Sequence, residues 1–303
     1  TCTTGARSLV ATITDPDGVP TAGIGLPVLY WRINAGAYVP VTATFAGGSQ
    51  YSFTLGGGAV IGDVISYYIV AQDNLLNTGS SPAFGASGFT PNPPAASTPP
   101  TSPYTYSLNP TLSGTYTVGT AGNFTTLGAA VNAYNNSCLG GAVIFSLIDA
   151  SYTGEVFPIN INANPDASAT NTLTIKAAVP TSISGSSITG MIQLNGADFV
   201  TINGSAGNTA NTVCPASAAT RDLTITNTSA TVTSAVVWLG TTGAGDAVTN
   251  ASVQNCILIG NAATTTIVGL GAGGATIGTG GISNNNISFI NNDIRACQFG
   301  IYS

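Results

Sequence analysis

From Gly114 onward the chain repeats one short motif: a few residues that alternate apolar and polar, then a cluster of Asn, Gly, Ser and Thr. Leu173-Thr174-Ile175, Ile192-Gln193-Leu194, Val200-Thr201-Ile202, Leu223-Thr224-Ile225, Val236-Val237-Trp238, Ile257-Leu258-Ile259 and Ile287-Ser288-Phe289 are of this kind. Asn203-Gly204-Ser205 and Asn284-Asn285-Asn286 are typical breaks. Alternation with period two is the mark of a half-buried strand. The strands recur loosely. Ile202, Ile225, Ile257 and Ile287 lie 23, 32 and 30 residues apart, and Val236, Ile267 and Phe299 lie 31 and 32 apart. Two tracks sharing a period of about thirty residues indicate a coiled solenoid in which like strands stack from coil to coil. The pattern predicts a right-handed parallel β-helix over residues 114–303, with a plain β-sandwich as the alternative. Asn at the corners is expected to stack into amide ladders that satisfy one another without charge.

One helix signal precedes the repeats. Phe124, Leu127, Val131 and Tyr134 share a helical face, Asn123 suits an N-cap, and Gly140-Gly141 stops the run before the apolar strand Ala142–Ile148. This predicts a capping helix over 123–134. At the other end, Gln298–Ser303 sits inside a strand pattern with no cap. The last coil is therefore expected to be incomplete, its end covered by more chain or by a neighbouring subunit.

Charge is scarce throughout. Lys and Arg number five, Asp and Glu eleven, His none, and 5% of residues are charged, where about 25% is usual. No charged residue occurs between Asp73 and Asp149, or between Asp246 and Asp293. Four Arg and one Lys cannot form a phosphate-binding patch, which argues against nucleic acid as a partner. Without His, the commonest general base and metal ligand is missing. No apolar run reaches the length of a membrane span. A surface of hydroxyls and amides suits secreted repetitive β structure and close packing between chains, since little charge has to be desolvated. No signal peptide opens the sequence at Thr1-Cys2-Thr3-Thr4, which fits a mature chain or a fragment. Among five cysteines there is no CxxC. A bridge from Cys138, after the helix, to Cys214, before a coil strand, would staple the cap to the first coils. Cys256 and Cys297 fall on different tracks and are expected to stay unbridged, and Cys2 is free to bond outside the segment.

Residues 7–76 read as short alternating strands: Ser8–Thr14, Val28–Ile33, Tyr38–Val41, Tyr51–Leu55 and Val64–Ala71, with turns at Asp15-Pro16-Asp17-Gly18 and Gly56-Gly57-Gly58. Several such strands in under a hundred residues predict a β-sandwich over 1–77. Residues 78–113 carry no charge, and six prolines fall between Pro91 and Pro103. Proline favours extended chain, so this stretch is expected to be a semi-rigid linker, lying along a protein surface through Phe84, Phe89, Tyr104 and Tyr106.

Two resemblances accompany these readings. "LVATITDPDGVP", "PVLYWRINAGAYVPV" and "DVISYYIVAQDN" resemble the immunoglobulin or fibronectin type III-like modules of large bacterial surface proteins. "GTYTVGTAGNFTTLGAAVNAYNNSCLGGAVIFSLIDASYTGEV", "FVTINGSAGNTANT", "RDLTITNTS" and "NNDIRACQFGIYS" resemble the β-helix modules of secreted proteins from gliding, surface-living bacteria. The first resemblance implies a spacer or adhesive bead. The second implies export by the type IX route and an extracellular, cell-surface location.

Candidate site residues are few. Polysaccharide lyases need clustered carboxylates for Ca²⁺ with an Arg or Lys base, and glycoside hydrolases need two carboxylates at a set separation. The acids of residues 114–303 are scattered singly. Asp198 and Asp222 precede apparently equivalent strands and would stack on one face with Arg221 neutralising them, although a turn role is favoured. Asp15, Asp17 and Asp73 are weak Ca²⁺ candidates, and no other cofactor is expected. Sequons occur at Asn123, Asn135, Asn203, Asn227, Asn250 and Asn286, and dense Ser and Thr suit O-linked glycosylation. The expectation is a non-enzymatic structural or adhesive segment of a surface stalk or filament that associates end to end. A carbohydrate-binding module for surface glycans is the alternative, and a polysaccharide lyase or hydrolase the less favoured one.

Overall fold

The structure is a computed structural model that describes residues 1–207, 220–243, 246–280 and 283–303. It divides into two compact units, Thr1–Pro110 and Thr111–Ser303.

The first unit holds ten strands: β1 Arg7–Thr12, β2 Val28–Ile33, β3 Val39–Thr42, β4 Thr44–Gly47, β5 Gln50–Leu55, β6 Val64–Gln72, β7 Thr78–Ser81, β8 Ser87–Thr90, β9 Ala95–Thr98 and β10 Tyr104–Ser107. One antiparallel sheet has the order β1-β5-β4 and the other β10-β6-β2-β3, with β7 also pairing β6. Alternation points Tyr51, Phe53 and Leu55 of β5 and Leu29, Ile65 and Ile69 of β2 and β6 into a shared core. The arrangement is sandwich-like.

The linker expected over 78–113 is not separate from this unit. β7 continues onto β6, pairing Val70 with Ser80, and β10 pairs Tyr104 with Tyr67. β8 and β9 form a hairpin between them. Tyr30 Oη donates to Pro94 O, and Asn92 and Gln72 exchange two hydrogen bonds, Asn92 N to Gln72 Oε1 and Gln72 Nε2 to Asn92 Oδ1. The reason lies in the sheet beneath. Val28, Tyr68 and Val70 face away from the core yet are buried, so that outer face needs a cover, and stiff proline-rich chain supplies one at low entropic cost. Pro94 and Pro100 are buried, whereas Phe84 is 81% exposed, so prolines rather than the expected aromatic rings hold the strap.

The second unit is built from three parallel sheets. The first contains β11 Thr111–Val118, β12 Cys138–Leu147, β15 Leu173–Ala177, β18 Val200–Asn203, β21 Ser252–Gln254 and β24 Ser288–Ile290, in that order. The second contains β13 Ser151–Tyr152, β16 Thr181–Gly185, β19 Leu223–Asn227, β22 Cys256–Ile259 and β25 Asp293–Arg295. The third contains β14 Ile159–Asn162, β17 Gly190–Asn195, β20 Ser234–Gly240, β23 Thr266–Gly273 and β26 Phe299–Tyr302. Every third strand thus returns to the same sheet, an all-β arrangement compatible with a parallel β-helix.

Each coil contributes three strands, where the spacings suggested two tracks. Ile202 and Ile225, 23 residues apart, sit on different sheets of one coil. The true one-coil steps are Ile159 to Ile192 and Leu270 to Ile301, 33 and 31 residues. The step from Ile202 to Val253 takes 51 because the coil is enlarged where residues 208–219 fall.

Register turns the alternation into columns. Phe145, Ile175, Ile202, Val253 and Phe289 stack in the first sheet, and Tyr152, Ile183, Ile225, Leu258 and Ile294 in the second. Ile159, Ile192, Val237, Leu270 and Ile301 stack in the third. Most of these side chains are wholly buried. The corners stack as well. Asn255 Nδ2 donates to Asn203 Oδ1 at 2.9 Å, and Asn291 Nδ2 to Asn255 Oδ1 at 2.8 Å. Asn255 and Asn291 have φ of 59° and 52°, the left-handed region that Asn tolerates better than most residues.

Outside the third sheet, Trp238 is 2% exposed, and its Nε1 donates to Gly274 O at 3.0 Å. A Cβ on Gly271 or Gly273 would stand 2.7 Å from its ring, so both positions must stay glycine.

The helix α1 spans Leu127–Asn135, not 123–134. Thr126 is its N-cap, its side chain accepting from Ala129 N. Asn123 instead accepts from Thr117 N and Oγ1, and Phe124 bridges to Val118, so the segment before the helix is held by the first sheet. Asn135 Nδ2 donates to Asn160 O at 2.8 Å, and Asn135 Oδ1 accepts from Asn162 N at 3.0 Å. Its amide takes the place of a strand beside β14, closing an edge that would otherwise be bare.

Two outcomes follow from this packing. Ile202→Ala removes one member of a fully buried column and is expected to lower stability by about 2–5 kcal/mol, while Thr201→Ala on the outward side of β18 changes it by less than about 1 kcal/mol; urea unfolding of both variants checks the contrast. Asn255→Ala breaks the corner ladder in the middle and strands amides of two coils, with an expected loss of about 1–3 kcal/mol in the same measurement.

Candidate functional site

In the first unit the turn Asp15-Pro16-Asp17-Gly18 follows β1. Gly18 N donates to Asp15 O, Asp17 N donates to Asp15 Oδ1, and Gly18 has φ of +79°. Asn74 locks this turn against the end of β6, its Nδ2 donating to Asp17 O and its N to Gly18 O, both at 3.0 Å. The Asp73 carboxylate is thereby drawn to the same spot. One oxygen from each of Asp15, Asp17 and Asp73 lies within 4.8 Å of the others. The structure thus brings together the three acids read as weak Ca²⁺ candidates.

These residues could supply three of the six to eight oxygens that Ca²⁺ takes. Asp73 is already engaged. Its Oδ1 accepts from Leu75 N and Asn77 N, each at 2.8 Å, and its Oδ2 from Asn77 Nδ2 at 2.6 Å. The Asn77 side chain, helped by the Asn77 and Leu75 amides against the cost of burial, holds the Asp73 carboxyl below its ordinary value of 3.8.

The carboxylates of the second unit do not converge. Asp149 accepts from Thr120 N and Oγ1, Asp166 from Leu139 N, and Asp198 from Thr249 N and Oγ1. Asp222 accepts from Ala206 N and Thr220 Oγ1, Asp246 from Thr242 Oγ1, and Asp293 pairs with Arg295. Glu155 accepts from Leu127 N and Gly128 N, meeting the first two amides of α1 with a negative charge. Asp198 and Asp222 were expected to stack on one face. They precede β18 and β19, which lie on different sheets, so three strands per coil separate them. Arg221 neutralises neither. Its Nε and guanidinium donate to Asn291 O and Oδ1 at 2.7 and 2.6 Å, ending an amide ladder.

Cys138 opens β12, and Cys214 lies outside the described residues, as does any bridge to it. Cys256 and Cys297 are free thiols, and burial pushes Cys256 up to about 12, which keeps it an inert core residue. Of the sequons, Asn203 and Asn227 are wholly buried and the Asn135 amide is bound to β14, so these three are closed to modification in the folded chain. The buried strand-side amides were hidden in the sequence because Asn is common everywhere in it. Their positive-φ corners are set only by the stacking.

No known protein-family model matches the chain, and no curated protein matches it.

Asp73 has a lowered carboxyl, so its stabilising turn is fully present above its unfolded value of about 3.8 and is lost as pH falls through the lower folded value. The stability gap between the wild type and Asp73→Ala is therefore expected to be constant from pH 7 to about 5 and to shrink below about 4. Urea midpoints across pH 2.5–7 measure it.

Proposed function

We propose that this chain is a non-enzymatic structural or adhesive segment of a bacterial cell surface. In this reading an immunoglobulin or fibronectin III-like bead precedes a right-handed parallel β-helix, and copies pack end to end. The observation that carries it is the use made of charge. All seven carboxylates of the second unit are spent on turn amides, hydroxyls, the start of α1 or a neighbouring Arg, and none is left to act on a substrate beside a second acid. Outward columns such as Ser182–Thr224 and Ser184–Thr226 carry hydroxyls, which can be covered by another chain at far lower cost than ions. Secretion and a surface location fit the same uncharged exterior.

A glycan-binding role has less support. Sugar recognition leans on exposed aromatic rings, and Trp238 of the second unit is buried under residues 273–274. Light scattering at rising concentration, with negative-stain imaging of the same samples, is expected to show particles that lengthen in units of one chain. Because charge contributes little, 0.5 M NaCl should leave this growth nearly unchanged. A monomer at every concentration would overturn the reading. Release of soluble sugars from a polysaccharide would replace it with the enzymatic one.

A further inference from the structure

The first unit is unfinished along one flank. β1 pairs with β5 and has no second strand partner among the described residues. Ile13 N bonds Ser49 O, and in an antiparallel ladder bonded residues alternate, so Ser8, Val10 and Thr12 turn their N–H and C=O groups away from β5. The side chains that β1 sends inward remain partly exposed: Leu9, Ala11 and Ile13 only pack against the core, whereas Tyr51, Phe53 and Leu55 opposite are 1–3% exposed. The other edges are guarded. β3 carries Pro40, and β4 has a register break between Phe45 and Gly47. β1 has neither Pro nor bulge, and Arg7 is its one charge.

Beside β1 runs a groove of about 410 Å³. Ala11–Thr14 form one wall and Gly79–Ser81 of β7 the other, over a floor that includes Val19, Ile69 and Ala71. Asp15 and Asp73 stand in the lining, and Asp17 completes the acidic cluster at that end.

We propose that this groove accepts an extended strand donated by a partner, laid antiparallel along β1, with alternate small apolar side chains on the floor and a cationic N-terminal residue at Asp15, Asp17 and Asp73. Antiparallel pairing runs the donor's N-terminus toward the C-terminal end of β1, where the acids are. Its ammonium group meets three carboxylates that repel one another when left alone. Its N–H and C=O groups complete Ser8, Val10 and Thr12, and its apolar side chains finish burying Leu9, Ala11 and Ile13. This goes beyond the structural role proposed above and holds whether or not the second unit builds filaments.

The test uses the whole chain and a synthetic peptide, Lys-Val-Thr-Val-Thr-Val, with a free N-terminus and an amidated C-terminus. A control peptide has Pro in place of both Thr. The expected result is saturable binding of the first peptide by calorimetry, none of the second, and about threefold or more weakening from 50 to 500 mM NaCl. Val10→Pro, which removes an N–H outside the β1–β5 ladder, is expected to keep the melting temperature within a few degrees and weaken binding about tenfold or more. Asp17→Asn, whose side chain takes no part in the turn, is expected to weaken binding about threefold and flatten its salt dependence. On peptide addition the amides of Val10 and Thr12 should gain hydrogen-exchange protection. No binding at millimolar peptide, unchanged binding by both variants, or a wild-type dimer that Val10→Pro dissolves would overturn the proposal, the last by giving the groove to a second copy.

Discussion

In the second unit every side chain lies about 4.8 Å from the side chain at the same position one coil away, because that is the spacing of hydrogen-bonded strands. The rest of the unit follows from this distance. Apolar residues gain by it, since a column such as Ile175–Ile202–Val253 buries each member between two others. Asn gains too, because an amide both donates and accepts and can join its neighbours above and below. A charge loses. Two like charges at this spacing repel by about 1 kcal/mol in water and by several at a protein surface. A coil that repeats in register therefore excludes repeated ions, and the scarcity of charge is a consequence of stacking. Where charge does occur on a strand, at Asp293 and Arg295 of β25, it stands over Ile257 and Ile259 and pairs within its own strand.

The helix obeys the same constraint from the other direction. A stack of parallel strands has a first edge, and there the ladder has nothing to pair with. α1 meets β14 with a single side-chain amide at Asn135 and seals the core beneath with Leu127, Val131 and Tyr134. Glu155 returns the favour by occupying the helix N-terminus. Cap and first coil thus satisfy each other's unpaired backbone groups.

The first unit solves a different problem, that of a sheet with two apolar faces. Its inner face meets the opposing sheet, and its outer face, with Tyr30 stacked on Tyr68 at 5.1 Å, is covered by the proline-rich strap. The unit manages its flanks unequally. Proline and a bulge protect β3 and β4, while β1 keeps a regular, nearly uncharged edge next to an acidic corner.

Much of this was legible in the residues alone. Period-two alternation identified the strands, the Asn-rich breaks located the corners and their amide ladders, and the DPDG turn with Asp73 marked the acidic cluster. These are local properties, set by the geometry of a strand or a turn and carried by neighbouring residues. What only the tertiary structure decided is which strands meet. Spacing along the chain could not separate a step around one coil from a step to the next, so three sheets read as two tracks, and Asp198 and Asp222 seemed to share a face. Composition could not distinguish a free linker from a strap bound to Tyr30 and Gln72. Nor could it show that Arg221 would reach past both acids to Asn291, since that contact joins residues 70 apart and exists only once the coils are stacked. Alternation specifies what each strand buries; the partner it is buried against is chosen by the closure of the whole coil.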